Sequence, residues 1–247
     1  MASIKYSDFV DLDHQPKQNE LVCKFYIEPA EGLNIEEAAG RVASESSNGT
    51  WAELEAESRI KDMSARAFDI QGREIKIAYP PILFEEGNMP QILSCIAGNI
   101  MGMKAVDRIR LKDVEWPESV VKGFRGPQFG SRVKEDIFDI EERPITATVP
   151  KPKVGMTSKQ HAEVGYKAWT GGLDLLKDDE NLTGQKFNQF KRRVKKSLEN
   201  RDKAEKETGD KKSYLINITA SADEMMDRAE FVKEQGGEYV MVDIVTA

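Results

Sequence analysis

Gly171-Gly172-Leu173-Asp174-Leu175-Leu176-Lys177-Asp178-Asp179-Glu180-Asn181 is a short apolar, strand-like run that drives straight into a lysine and three carboxylates. Carboxylates gathered at a strand end repel one another unless a counter-charge holds them, and a divalent cation is the usual holder. A lysine ammonium has no lone pair to give a metal. Lys177 therefore makes sense as a ligand only if chemistry removes its charge, for instance by adding CO2 to form a carbamate. A solvated loop after a strand would read the same way, and the segment alone does not choose between the two.

A second charged cluster stands upstream, again at a strand end. Ile145-Thr146-Ala147-Thr148-Val149 is apolar and β-branched, and Pro150-Lys151-Pro152-Lys153-Val154-Gly155 follows it. Prolines on both sides of Lys151 restrict the backbone and donate no main-chain hydrogen bonds, which suits a rigid mount for a lysine. Pro-Lys repeats also occur in linkers, so this segment gains weight only beside the first.

Working outward, the strand–helix repeat continues. Strand 145–149 leads to a helix over 158–169, and strand 173–176 leads to a helix over 185–205. Strand 214–219 follows, then a helix opened by the capping-box pattern Ser221-Ala222-Asp223-Glu224 and closed at Gly236-Gly237; the last strand is 239–245. Such repeats predict a parallel sheet, with charged residues at the carboxyl ends of strands as on the active face of a (β/α)8 barrel.

Before residue 140 the pattern is different. Residues 21–27 alternate faces as a strand, and 34–44 carry the helical stripe Ile35, Ala38, Ala39 and Val42. Residues 65–70 and 74–79 flank Gln71-Gly72 as a hairpin, 89–106 carry a second helical stripe, and 109–116 read as a strand. The β-α-β-β-α-β order is the ferredoxin-like plan. Residues 117–143 read as a connecting segment with Gly-Pro turns.

The two lysine-bearing segments together resemble the large chain of ribulose-1,5-bisphosphate carboxylase/oxygenase (RuBisCO). Lys151-Pro152-Lys153-Val154-Gly155 resembles the family's first catalytic-lysine segment, and 171–181 its activation segment. Glu45-Ser46-Ser47-Asn48-Gly49-Thr50-Trp51 resembles the amino-terminal active-site segment. Glu86-Gly87-Asn88-Met89-Pro90 through Ala97-Gly98-Asn99-Ile100-Met101-Gly102 resembles the helix that carries the active-site asparagine. Four motifs in the family's order span much of the chain.

The resemblance implies a ferredoxin-like amino-terminal domain with its connecting segment over 1–140, then strands 1–4 of a TIM barrel over 141–247. It implies Mg2+-dependent enolisation and carboxylation of ribulose 1,5-bisphosphate to two 3-phosphoglycerate, with O2 as the competing substrate. Lys177 as its carbamate, Asp179 and Glu180 would hold the Mg2+. Lys151 would be a general acid/base acting with Lys153, while Asp178 has no ligand role and reads as a supporting or solvated carboxylate. Glu45 would orient the lysine of a mobile loop, Thr50 and Trp51 would contact a substrate phosphate, and Asn99 would lie close to the substrate at the metal. In the family these amino-terminal residues complete a partner subunit's barrel site. The resemblance thus implies a homodimer, or an oligomer of dimers, as the active assembly.

Val149-Pro150 stands before Lys151 where family members often carry Thr-Ile or Thr-Val, which removes a substrate-contacting threonine unless Thr148 serves. This variation fits the archaeal, form III-like branch, which implies no small subunit. A whole barrel takes about 250 residues, whereas only 144–247 follow Arg143. The expectation is a chain truncated after the fourth barrel strand. The family's later histidines, phosphate-binding arginine and glycines, and mobile-loop lysine have no counterparts here. The polypeptide alone is therefore expected not to turn over ribulose bisphosphate.

Composition excludes other classes. A chain of 247 residues can hold one or two sizeable cores, and its net charge of -7 argues against nucleic acid, which needs clustered positive charge. The basic run Lys191-Arg192-Arg193 with Lys195-Lys196 reads as the wet face of a helix whose apolar side is Phe187, Phe190, Val194 and Leu198. Cys23 and Cys95 read as buried free thiols of a reducing compartment, and His14 and His161 have no partners at metal-ligand spacing. The amino terminus lacks the apolar core of a signal peptide and no run suits a membrane span, so a cytoplasmic protein is expected. Two rivals remain: a RuBisCO-like enolase or isomerase acting on a phosphorylated sugar or a methionine-salvage intermediate, and a non-catalytic interaction chain.

Overall fold

The structure, a computed structural model, describes residues 6–49, 60 and 62–243. The chain forms two compact units, 1–126 and 127–247.

In the first unit β1 (Leu21–Pro29), α1 (Ile35–Glu45), β2 (Arg66–Gln71), β3 (Glu74–Tyr79), α2 (Met89–Ala97) and β4 (Val106–Glu115) follow in order. The sheet runs β2-β3-β1-β4 with every neighbouring pair antiparallel, which is the ferredoxin-like arrangement. Alternation decides the faces: Cys23, Phe25 and Ile27 point into the core while Lys24, Tyr26 and Glu28 lie between them on the other side. Ala38, Ala39, Val42 and Ala43 of α1 and Ile92 and Ile96 of α2 complete that core. Asn34 caps α1 in a full capping box with Glu37. Cys23 is buried, and burial pushes its thiol far up from the ordinary value. Cys95, expected to be buried, is half-buried.

The second helix is shorter than its periodic stripe suggests. It ends at Ala97, and a 3-10 turn, Asn99–Gly102, carries the chain to β4. Gly98 makes the break: a Cβ there would lie 2.2 Å from the Ser94 carbonyl oxygen. Apolar spacing continues through a bend of this kind, so periodicity alone overextends the helix.

Two short helices, α3 (Glu118–Val121) and α4 (Val133–Asp136), mark the segment expected to connect the halves. Its later part packs within the second unit, where Phe138 stacks on Tyr239 with ring centroids 6.2 Å apart.

The second unit is a parallel sheet, β5 (Ala147–Thr148), β6 (Leu175–Lys177), β7 (Ser213–Asn217) and β8 (Tyr239–Met241), in sequential order. Helices α5 (Ser158–Thr170), α6 (Phe190–Thr208) and α7 (Ala222–Glu234) form the crossovers. Sequential parallel strands joined by helices are the first half of a (β/α)8 barrel. Helix α5 approaches β6 closely at Gly165, where a Cβ would stand 2.7 Å from Leu176 Cδ2 and 3.2 Å from the Trp169 ring. Trp169 is wholly buried and donates its indole N–H to the Ser213 carbonyl at 3.1 Å.

Three local expectations need correction. Helix α6 begins at Phe190, so Phe187 lies outside it and is exposed. Arg193 does not belong to a wet face: it is 0% exposed, on the same side as Phe190, Val194 and Leu198. Ser221 stands at the N-cap of α7, but its side chain makes no capping bond, and Glu224 instead accepts from Arg228 at 2.6 Å. Helix α7 is followed by Gly236 at φ +77°, as the Gly-Gly pair predicts. Among the described residues no helix is long and apolar enough to cross a membrane.

Candidate active site

The two lysine-bearing segments leave neighbouring strand ends, because β5 and β6 pair in parallel with Ala147 opposite Leu175. The connection is made by side chains. Lys151 Nζ donates to Asp179 Oδ2 at 3.0 Å, and Lys153 Nζ donates to Asn181 Oδ1 at 2.7 Å. Lys177 Nζ donates to Glu180 Oε1 at 2.6 Å and to the Asp178 carbonyl at 3.0 Å. Five expected site residues, Lys151, Lys153, Lys177, Asp179 and Glu180, therefore meet at one end of the sheet.

Asp179 is buried while Glu180 is exposed. Burial pushes the Asp179 carboxyl up, but the Asn181 amide and the Lys151 ammonium outweigh it and hold the carboxyl below its ordinary value. The hydrogen bond and charge of Lys177 hold the Glu180 carboxyl down as well. Each carboxylate is thus ionised and balanced by an ammonium.

This donor set fits a divalent cation on one condition. Among the described residues no group of three histidine, cysteine or acidic side chains is placed to hold a metal. Asp179 and Glu180 supply two oxygens, and a hard cation requires more. Lys177, already against Glu180, is placed to bring a third once its amine carries a carboxylate.

Asp178 is not solvated. It is wholly buried, accepting from Tyr214 Oη, from Arg193 Nε at 3.3 Å and Nη2 at 3.2 Å, and from the Asn217 backbone N–H at 3.1 Å. His161, 1% exposed, sets Nε2 3.2 Å from Asp178 Oδ1. Burial acts to raise the Asp178 carboxyl, but the charge of Arg193 and the contacts of His161 and Tyr214 hold it below the ordinary value. Sequence reading missed this layer. A signal was present: Arg193, Ser197 and Arg201 recur every fourth residue beside the apolar stripe of α6, and all three are buried.

In the first unit Glu45, the last residue of α1, accepts a hydrogen bond from Asn99 Nδ2. Ser46, next in line, is pinned by the buried Tyr79 hydroxyl at 3.0 Å. Two expected site residues from distant motifs are thereby joined. Thr50 and Trp51 lie outside the described residues.

A ferredoxin-like domain followed by βα units of a barrel, with lysines and carboxylates at the strand ends, defines the class as a RuBisCO-type large chain. The comparisons agree. The profile of the ribulose bisphosphate carboxylase large chain N-terminal domain matches residues 8–120, and that of its catalytic domain matches residues 130–247. The ribulose bisphosphate carboxylase of Pyrococcus abyssi is 50% identical over 247 residues, covering 98% of this chain and 58% of its own length. That of Pyrococcus furiosus is 51% identical over 245 residues, covering 97% and 58%. The octameric enzyme of Pyrococcus horikoshii superposes with a TM-score of 0.93 at 47% identity, over 99% of this chain and 59% of the other. The dimeric archaeal Rubisco of Hyperthermus butylicus superposes at 0.91 and 43% identity, over 98% and 58%. This chain belongs to the ribulose bisphosphate carboxylase large-chain family, and it spans a little under three-fifths of the length of these relatives.

Proposed function

We propose that this chain supplies the activation and metal site of a ribulose-1,5-bisphosphate carboxylase, a lyase that enolises and carboxylates ribulose bisphosphate to two 3-phosphoglycerate. One observation carries the reading: Lys177 and Lys151 stand within hydrogen-bond distance of Glu180 and Asp179, at neighbouring parallel strand ends. In activation, Lys177 loses a proton and its amine nitrogen adds to the carbon of CO2. A second proton leaves, and the carbamate is an anionic oxygen ligand. Its charge then repels Glu180 where the ammonium had attracted it, and the three anions favour a cation among them. A bound Mg2+ supplies Lewis-acid polarisation of the substrate carbonyl.

Were a cation held by Asp179, Lys151 would lose its hydrogen bond to that carboxylate. Its side chain is 65% exposed, so the ammonium has room to swing toward substrate as a proton carrier. Lys153 adds positive charge beside it. Glu45, Asn99, Thr50 and Trp51 serve the substrate side from the first unit, in the site of a partner subunit. The assembly is a homodimer or an oligomer of dimers without a small subunit, consistent with relatives described as octameric and dimeric. Residues 1–140 and 141–247 divide these two tasks.

Trapping of the carbamate tests the reading. The chain is equilibrated with labelled CO2 and Mg2+, the adduct is fixed by O-alkylation, and peptides are sequenced by mass. Label is expected on Lys177 and absent from a Lys177→Ala variant; label spread evenly over surface lysines would sink the assignment. The 247-residue chain alone is expected to convert no ribulose bisphosphate, and labelled 3-phosphoglycerate from it would contradict that.

A further inference from the structure

We propose that Asn217, at the end of β7, is a positioning residue that fixes the peptide backbone of the carboxylate pair Asp179 and Glu180. The inference rests on the metal-site reading above. Asn217 is wholly buried. Its Nδ2 donates to the Asp179 carbonyl at 3.3 Å and to the Glu180 carbonyl at 3.1 Å. Its Oδ1 accepts from the Thr219 N–H at 3.0 Å.

The amide orientation is fixed by this set. Turned over, its NH2 would face the Thr219 N–H and its oxygen would face two carbonyls, so neither side would have a partner. The backbone N–H of the same residue donates to Asp178 Oδ2 at 3.1 Å, and Asp178 in turn is held by Arg193 and Tyr214.

These bonds stand where the β6–β7 ladder would otherwise stop. The last main-chain rung donates from Asp178 N–H to the Leu215 carbonyl at 3.0 Å. Beyond it, the Asp178 carboxylate takes the place of a carbonyl and the Asn217 amide takes the place of an N–H. Side chains thereby extend the sheet by two residues, and those residues are the two carboxylates. A loop that must present two anions side by side tends to spread; a buried donor shared between its two carbonyls opposes that. Outer partners that orient metal ligands are typically worth about 10–100-fold in metal affinity.

The test uses the 247-residue chain and three variants. Asn217→Ala removes the clamp, and Asn217→Asp keeps the shape and the Thr219 contact but replaces the donor with a carboxylate oxygen. Asn200→Ala is the control, since Asn200 makes a comparable amide-to-carbonyl bond to Ala162 at 2.8 Å between α5 and α6, away from the carboxylate pair. Two quantities are read on folded protein: Mn2+ affinity in CO2-saturated buffer, and amide exchange of residues 178–183. Both Asn217 variants are expected to bind Mn2+ at least tenfold more weakly and to exchange faster over 178–183, while Asn200→Ala matches the parent in both. Parent-like Mn2+ affinity in both Asn217 variants overturns the proposal, even if exchange is faster. Absence of Mn2+ uptake by the parent would instead overturn the metal reading. The clamp is then judged by exchange alone, faster exchange upholding it and unchanged exchange overturning it.

Discussion

The two sheets solve the same burial problem with opposite materials. The antiparallel sheet of the first unit buries Phe25, Ile27, Ile75 and Ile77 and keeps its charges outside, in pairs such as Lys24 with Glu74. The parallel sheet buries Asp178, Arg193, His161, Asn188 and Asn217, each no more than 1% exposed. Taking charges out of water is expensive, and an apolar set of similar volume is often as stable. A fold that keeps buried charges directly beneath one strand end gains position there rather than stability. The difference thus separates a sheet that keeps its charges at the surface from a sheet that buries them beneath a strand end.

The strongest way to break that comparison is to remove the centre of the buried set. Asp178→Ala leaves the Arg193 guanidinium, 0% exposed, without its counter-charge. A destabilisation of about 3–5 kcal/mol is expected in urea unfolding, the usual size for one half of a buried pair. Lys24→Ala removes half of a solvent-screened ion pair whose side chains are 40% and 41% exposed, and is expected to change stability far less than Asp178→Ala does. Equal effects from the two substitutions would end the distinction.

A second contrast lies in acid. Asp174 is 1% exposed and takes both guanidinium nitrogens of Arg143, at 2.6 and 2.8 Å, with two further bonds from Thr146. Burial pushes this carboxyl up, but Arg143 and Thr146 outweigh it and hold it at about 2. A carboxyl whose folded pKa is depressed stabilises the fold above its unfolded pKa. That stability is lost as pH falls toward the folded one, here between the ordinary aspartate range and about 2. The contribution is at most about 2 kcal/mol, since one pKa unit is worth about 1.4 kcal/mol and Arg143 is half exposed. Asp174→Asn should therefore remove part of the acid-induced loss in urea stability, and an unchanged pH dependence would contradict the role.

Sequence carried the architecture well because each unit repeats one strong signal. The Gln71-Gly72 turn and the alternation of 21–27 specify the antiparallel sheet, and the βα alternation after 145 specifies the parallel one. The charged layer at the strand ends was also legible: Lys151, Lys153, Lys177, Asp179 and Glu180 follow strand-like runs in the sequence, and they meet there. The supporting layer was not. Asp178 sits among other acids with nothing local to mark it as buried, and its partners Arg193, Tyr214 and Asn217 come from later elements. Pairing of that kind depends on tertiary distance, which periodicity does not encode. Gly98 ended a helix for the same kind of reason, through a contact rather than a pattern.

The smallest effect sharpens the point, because it concerns two helix starts with the same signature. Asn34-Ile35-Glu36-Glu37 and Ser221-Ala222-Asp223-Glu224 both place a small polar residue three positions before a glutamate at a helix start, though the sequence reading marks only the second as a capping box. At α1 the box forms in both directions, with the Glu37 N–H donating to Asn34 Oδ1 at 2.9 Å and the Asn34 N–H donating to Glu37 Oε2 at 3.0 Å. At α7 Arg228 holds Glu224 away, and the Ser221 side chain makes no capping bond. Asn34→Ala is expected to destabilise by about 1 kcal/mol, the typical worth of an N-cap, whereas Ser221→Ala should fall within about 0.5 kcal/mol. Thermal melts of the two variants decide it: equal losses would mean that the motif, and not the bond, sets the stability of a helix start.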